Sequence, residues 1–328
     1  MSRITKLLSV LLALTMLGAA CGDDDGTAAS GDLPTVVVTT NILGDVVTEL
    51  TGGAVEVVTI MPVGADPHDF QASAQQVDAM RNADVLIVNG GSFEEGLLDV
   101  IEGAESDGVS VYEAISVVST IEFGEGGHGG HDDHDDHEGH DDHDDHDHSG
   151  EDPHFFTDPA RMAAAVDGIA AFLIANVEGI DANIVTEAAE AYHGELEALD
   201  AEVEALVADI PAENRVLITN HEVFGYFADR YGFEVAGAII PSGSTLDGTS
   251  AGDLAELAEL ITDEGVPAIF SDVSASDQLA QTLADEVGGD VQVVELFTES
   301  LGGSDSEGAT YIDMVRTNAS RIAEALAS

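Results

Sequence analysis

The 328-residue chain has one cysteine, Cys21, no tryptophan and a single lysine, Lys6. One cysteine excludes an intrachain disulfide and a zinc site built on thiolates. Positive charge is equally scarce: 8 Lys+Arg stand against 65 Asp+Glu, a formal charge of −57. Such a surface repels phosphate backbones and anionic headgroups, which excludes nucleic-acid binding and docking to membranes through a basic patch. Aromatics make up 5% of the chain, so Ala, Val, Ile and Leu must build its interior, and at 44% apolar residues there is enough to do so. Long apolar runs are missing too. Residues 7–17 fall short of the ~20 that a spanning helix needs, and the apolar stretch over residues 162–177 is interrupted by Asp167.

What is present begins with that short run. Arg3 and Lys6 precede it, and Gly18, Ala19 and Ala20 follow it, the pattern of a secretory signal peptide. Cys21 comes directly after these small residues, as in the lipobox of bacterial lipoproteins, where the cysteine becomes the acylated first residue. Leu17 lies one place further from Cys21 than that pattern usually has it. The expectation is a signal peptide over residues 1–20, lipidation at Cys21 and a polar tether over residues 21–33. The chain is then extracytoplasmic, held at the outer face of the bacterial cell membrane by its lipid, or periplasmic or secreted where Cys21 is not acylated.

From Thr35 on, apolar runs of four to seven residues alternate with helical patterns, which argues for a parallel, doubly wound α/β lobe. This first lobe is expected over residues 34–123, with its end over residues 151–180. Asp158-Pro159 reads as an N-cap followed by Pro at the first helical position. Asp181 caps a second, long helix, a linker over residues 181–209. A second α/β series then occupies residues 210–328, with strands expected over 216–219, 233–239, 267–271 and 291–296. The fold class is α/β: two doubly wound lobes joined by one long rigid helix.

Between the two parts of the first lobe, residues 124–150 are Gly, His and Asp with nothing to bury, and are expected to form a disordered metal-binding loop. His131, His134, His137, His140, His143, His146 and His148 recur there among ten acids. Imidazole and carboxylate suit zinc, nickel and copper, but a disordered chain must order itself around each ion, so the tract reads as an auxiliary, low-affinity binder. A tight site needs fixed ligands. His68 sits in a turn-rich segment after a strand, His154 just before a helix, and His221 where a strand meets a helix. Ligands of open α/β sheets bind beyond the carboxyl ends of strands, which places His68 and His221 suitably. Spacing alone leaves open whether these three share a site or serve as a loop, a turn and a core histidine. His193, in mid-helix near Glu190 and Glu195, reads as a solvated helix-face residue.

Several segments together resemble the cluster A-I (zinc/manganese-type) solute-binding proteins of bacterial ABC metal-uptake systems. They are Pro62-x-Gly64-x-Asp66-Pro67-His68-Asp69-Phe70, Ala83-Asp84-Val85 to Asn89-Gly90, and Asp152-Pro153-His154 with Asp158-Pro159. Two more follow: His221-x-x-Phe224-Gly225-Tyr226-Phe227-Ala228-Asp229-Arg230-Tyr231-Gly232 and Tyr311-x-x-Met314-x-x-x-Asn318. The resemblance covers nearly the whole chain beyond the N-terminal segment, and the position of the histidine tract resembles the zinc branch.

The resemblance implies two lobes bridged by a rigid helix and no enzymatic activity. It also implies metal ligation by His68, His154 and His221, with a fourth ligand at Glu299, where many members have Asp. Without the resemblance Glu299 would pass for a solvated loop acid. Asp66 and Asp152 are expected in turns or as supports of the ligands. Three imidazoles and one carboxylate favour Zn²⁺ over Mn²⁺, which prefers more oxygens. The implied partners are a divalent metal ion as cargo and an ABC permease, and the implied state is a monomer. Two alternatives stand beside this: a manganese-binding member of the family, or a surface adhesin built on the same fold. A zinc hydrolase is disfavoured because no His-Glu-x-x-His segment is present.

Overall fold

The computed structural model describes residues 33–124, 150–288 and 291–327. Cys21 and the seven histidines of the tract lie outside the described residues, as do the expected signal peptide and most of the tether.

The first lobe runs β1 (Thr35–Val38), α1 (Asn41–Thr51), β2 (Glu56–Thr59), α2 (Ala74–Arg81), β3 (Val85–Val88), α3 (Leu98–Ser106) and β4 (Ser110–Glu113). Its four strands are parallel, in the order β2-β1-β3-β4. β1 and β3 are β-branched or leucine throughout and almost wholly buried, as central strands covered on both faces must be. α2 opens on a capping box in which Ser73 and Gln76 satisfy each other's backbone amides. Before α3 the chain makes a 3₁₀ turn over Glu95–Leu97. Ser92 there has a left-handed φ of 62° and Gly90 and Gly91 also have positive φ, so the backbone enters α3 through a tight turn rather than a regular first helical turn.

The chain returns through a single antiparallel bridge between Glu122 and Glu151 to α4 (Pro159–Asn176), capped by Asp158, whose side chain accepts from the Ala160 amide. α5 (Ala182–Val207) follows, capped by Asp181. Its 26 residues span roughly 39 Å at 1.5 Å per residue. Val185, Ala189, Tyr192, Leu196, Leu199, Val203 and Val207 form its buried stripe, which packs on α4, α9 and α1.

The second lobe runs β5 (Val216–Thr219), α6 (Gly225–Tyr231), β6 (Glu234–Ala238), α7 (Ala251–Glu264), β7 (Ala268–Asp272), α8 (Gln278–Val287), β8 (Gln292–Leu296) and α9 (Tyr311–Leu326). Its strands are parallel in the order β6-β5-β7-β8, the same arrangement as in the first lobe. Residues 222–224 turn before α6 begins at Gly225: the Val223 amide donates to the His221 carbonyl and the Glu222 amide to that of Ser242. Each sheet has an apolar cluster of its own on one face. The other faces and α5 contribute to one continuous core that includes Val36, Ile87, Leu196, Leu217, Phe270 and Tyr311. The long helix therefore fixes the carboxyl ends of both sets of strands on one rigid frame.

Candidate metal centre

Of six polar side chains at the site, His68, Glu95, His221 and Glu299 come from beyond strand ends and Asp272 from the last residue of a strand, where backbone turns leave room for a ligand. His68 lies in the loop that follows β2. Asp66 shapes that loop, its Oδ1 accepting from the His68 amide at 2.9 Å. Its other oxygen accepts from Thr245 of the second lobe at 2.6 Å. Glu95 follows β3, His221 follows β5, Asp272 ends β7 and Glu299 follows β8. His154 instead lies on the return into α4, with Asp152 Oδ1 accepting from its amide at 2.9 Å.

These elements bring His68, His154, His221 and Glu299 together, with one ligand atom from each lying within 4.8 Å of the others, and all four residues buried. Glu299 Oε1 is 2.8 Å from His68 Nε2, 3.3 Å from His154 Nε2 and 3.2 Å from His221 Nε2. Donors bound tetrahedrally to zinc at 2.0–2.1 Å are separated by about 3.3–3.4 Å, so the spacings of Glu299 to His154 and His221 are close to those of a coordination shell. Among the described residues this is the group of His, Cys, Asp and Glu side chains so arranged.

The rings are aimed from behind. His68 Nδ1 donates to Glu95 Oε1 at 2.9 Å, and His154 Nδ1 to Asp152 Oδ1 at 2.7 Å. With Nδ1 committed to a carboxylate, Nε2 is the nitrogen left to face a metal. Phe93 packs its ring edge-on against both, with centroids 5.4 Å from His68 and 5.5 Å from His154. Tyr226 anchors Asp152 in turn, its hydroxyl donating to the Asp152 carbonyl at 2.6 Å. Gly225 makes this possible, since a Cβ there would come within 2.6 Å of Asp152 Oδ2. His221 differs: its Nδ1 has no hydrogen-bond partner and its Nε2 approaches Glu299 off the line of a hydrogen bond. Glu299 Oε2 and Asp272 Oδ2 are likewise buried and unpartnered.

Burial opposes protonation of His68, but the charges of Glu299 and Glu95 outweigh it and hold its pKa up at about 10. Burial is outweighed in the same way at His154, by Asp152 and Glu299. Burial would raise Glu299, yet the imidazoles of His221 and His68 hold it well below the usual carboxylate range. Asp272 goes the other way, raised by burial and by the Glu299 charge. Protons and a divalent cation thus compete for one buried, electron-rich pocket. An open cleft of about 520 Å³, lined by His68, Glu95, Phe123, Pro153, Ser244 and Asp247 among others, leads to its His68 side.

His193 stays apart. It is a third exposed on α5, 3.2 Å from Asp167 and 3.7 Å from Glu197, rather than beside Glu190 and Glu195. Glu95 and Asp272 were not singled out by the sequence. In a chain with 65 acids, neither a helix-start glutamate nor an aspartate ending a strand carries a signal of its own.

The sequence pattern of the family described as zinc-uptake complex component A, periplasmic, matches residues 36–325. A zinc-binding protein, TroA, from Treponema pallidum is 31% identical over 98% of this chain and 98% of its own length. A manganese-binding lipoprotein, MntA, from Halalkalibacterium halodurans is 27% identical over 94% of each chain. The solved structure of the T. pallidum periplasmic zinc-binding protein superposes with a TM-score of 0.79 and 30% identity. It covers 90% of this chain and is itself covered completely.

Proposed function

The chain belongs to the zinc-uptake complex component A family, and from that membership we propose that it captures Zn²⁺ between its lobes and delivers it to a membrane permease. Membership makes it a substrate-binding protein of a metal ABC transporter rather than an enzyme. The choice of zinc rests on one observation, the convergence of three imidazole Nε2 atoms and one carboxylate oxygen in a buried cluster. This borderline-soft set of four suits Zn²⁺, whereas Mn²⁺ favours additional oxygens. All four ligands come from the protein, which suits capture and transfer of an ion rather than hydrolysis at a metal-bound water.

A second reading, capture of Mn²⁺, draws on the names of several relatives and on the spare oxygen of Glu299, which would let that side chain bind through both oxygens. Titration of the metal-free protein with Zn²⁺ and with Mn²⁺ against a competing chelator separates the two. The zinc reading expects Zn²⁺ to bind far more tightly, and His68→Ala or His154→Ala to remove the tight site. Equal affinities, or a preference for Mn²⁺, would overturn it.

We assign the histidine tract a gathering role, since in the sequence it is inserted between Phe123, which lines the cleft, and the segment that carries His154. Deleting residues 125–149 should leave the tight site intact and reduce the number of weakly bound ions. Acylation of Cys21 would hold a monomeric protein at the membrane beside its permease, and incorporation of labelled palmitate that Cys21→Ala abolishes tests it.

A further inference from the structure

Glu299 belongs to the second lobe by sequence, and the chain before it is fastened there, but the chain just after it is fastened to the first lobe. Upstream, Phe297 is held at both backbone groups by Asn318 of α9: its amide donates to Asn318 Oδ1 at 2.9 Å, and its carbonyl accepts from Asn318 Nδ2 at 2.6 Å. Downstream, the Leu301 amide donates to Asn41 Oδ1 at 2.7 Å, and Asn41 opens α1 of the first lobe. Four residues further along α1, Asp45 accepts from the Tyr311 amide at 2.8 Å. Positions four apart lie on one helix face, so α1 carries both ends of the 301–311 segment.

Ser300 sits at the junction and is fully buried. Its hydroxyl accepts from the Gly64 amide at 2.7 Å and from Asn41 Nδ2 at 2.9 Å, and donates to the Leu301 carbonyl at 3.0 Å. One donor and two acceptors are all that a hydroxyl offers. Gly64 belongs to the loop that carries His68, so one oxygen joins the Glu299 segment, the His68 loop and the start of α1.

We propose that Ser300 is a positioning residue for metal capture: through Gly64 and Asn41 it sets the Glu299 carboxylate against His68, across the boundary between the lobes. The proposal rests on the reading of His68, His154, His221 and Glu299 as metal ligands. Removing the hydroxyl takes the shared acceptor from the exposed Gly64 amide and from the half-buried Asn41 side chain, which keeps only its 3.3 Å bond to the Pro62 carbonyl, and lets the Glu299 segment move relative to His68. The ion is then held by the same four side chains in a looser arrangement, which shows chiefly as faster release.

The test uses the mature full-length protein and Ser300→Ala, with chelator competition for Zn²⁺ affinity, stopped-flow chelation for the release rate, and the visible absorption of bound Co²⁺ as a report on ligand geometry. Loss of a group that orients a metal ligand costs about 10–100-fold in affinity. That range is expected here, carried mainly by the release rate, with a changed Co²⁺ spectrum. A folded Ser300→Ala protein with wild-type release and an unchanged Co²⁺ spectrum overturns the proposal, whatever happens to its melting temperature. If Ser300→Ala does not fold, Asn41→Ala at the half-buried helix start carries the same measurements, with a smaller loss expected and the same overturning result. His68→Ala serves as the control for the ligand reading. If it binds Zn²⁺ as tightly as the wild type, that reading fails and this inference with it. If it loses the tight site while Ser300→Ala keeps wild-type release and spectrum, the inference alone fails.

Discussion

In the first lobe, each histidine of the cluster has its Nδ1 fixed by a carboxylate, Glu95 behind His68 and Asp152 behind His154. In the second, His221 has no partner at Nδ1, and Glu299 and Asp272 each keep a buried oxygen without a hydrogen bond. The first half is pre-organised and presents two aimed lone pairs once protons leave. The second half holds unspent hydrogen-bonding capacity, each buried orphan costing on the order of 1–3 kcal/mol, and coordination through His221 Nε2 and Glu299 Oε2 would relieve part of that cost. A binding protein that must also give up its ion gains from this asymmetry, because one side stays set while the other can relax.

The largest effect should come from the pre-organised side. Structural zinc sites bind with about 10–16 kcal/mol over four ligands, so losing one costs roughly 3 kcal/mol, or more than a hundredfold in affinity. His154→Ala, which removes a fully buried and aimed ring, should reach that loss in chelator competition, and His221→Ala should fall short of it. Equal losses would break the contrast between the lobes. Next come the supporting carboxylates. Asp152→Asn should weaken binding about 10–100-fold, and Glu95→Gln should stay near the lower end of that range. Glu95 has the smaller effect because its side chain is 33% exposed, so water can replace part of what it does. A Glu95→Gln effect larger than that of Asp152→Asn would show that the cleft side, not the buried side, governs the geometry.

Much of this frame is legible in the sequence, and the parts that are not have a common cause. α4 and α5 announce themselves through Asp158-Pro159 and Asp181, because a cap is a local event between a side chain and an amide two residues away. His68, His154 and His221 stand out because histidine is rare outside the tract and each sits beside a turn. Glu299 needed a motif, as one acid among 65. Glu95 was hidden by its position in what reads as an ordinary helix start. The structure shows instead that Glu94 turns back to cap the Asn89 and Gly90 amides, leaving Glu95 to reach His68. Ser300 and Asn41 were hidden for a different reason: their bond spans 259 residues, and no local pattern encodes a contact of that kind.

The pH response sharpens the comparison from the proton's side. An ordinary histidine titrates near 6.5, while His68 is held at about 10, so the folded, metal-free protein binds a proton there that the unfolded chain releases. That contribution to stability is complete below about pH 6.5 and is lost as pH rises through about 10. The melting temperature of metal-stripped protein should therefore fall across this window, and a rise would contradict the assignment. Metal binding must expel the same proton. Zn²⁺ added in weak buffer at pH 7 should release at least one proton per ion, and apparent affinity should climb with pH.

The smallest effect belongs to the histidine that the site excludes. His193 has carboxylate neighbours much as His68 does, with Asp167 at 3.2 Å and Glu197 at 3.7 Å, so proximity to acids alone would make it a candidate. It differs in being a third exposed, with neighbours more exposed than itself. Water screens such pairs to within about 1 kcal/mol, and its two neighbours do not converge with a third donor. His193→Ala should leave Zn²⁺ affinity unchanged and move stability by less than about 0.5 kcal/mol. A measurable loss of tight binding in that variant would mean that α5 transmits strain to the cluster, and the contrast between the lobes would then have to include the helix that joins them.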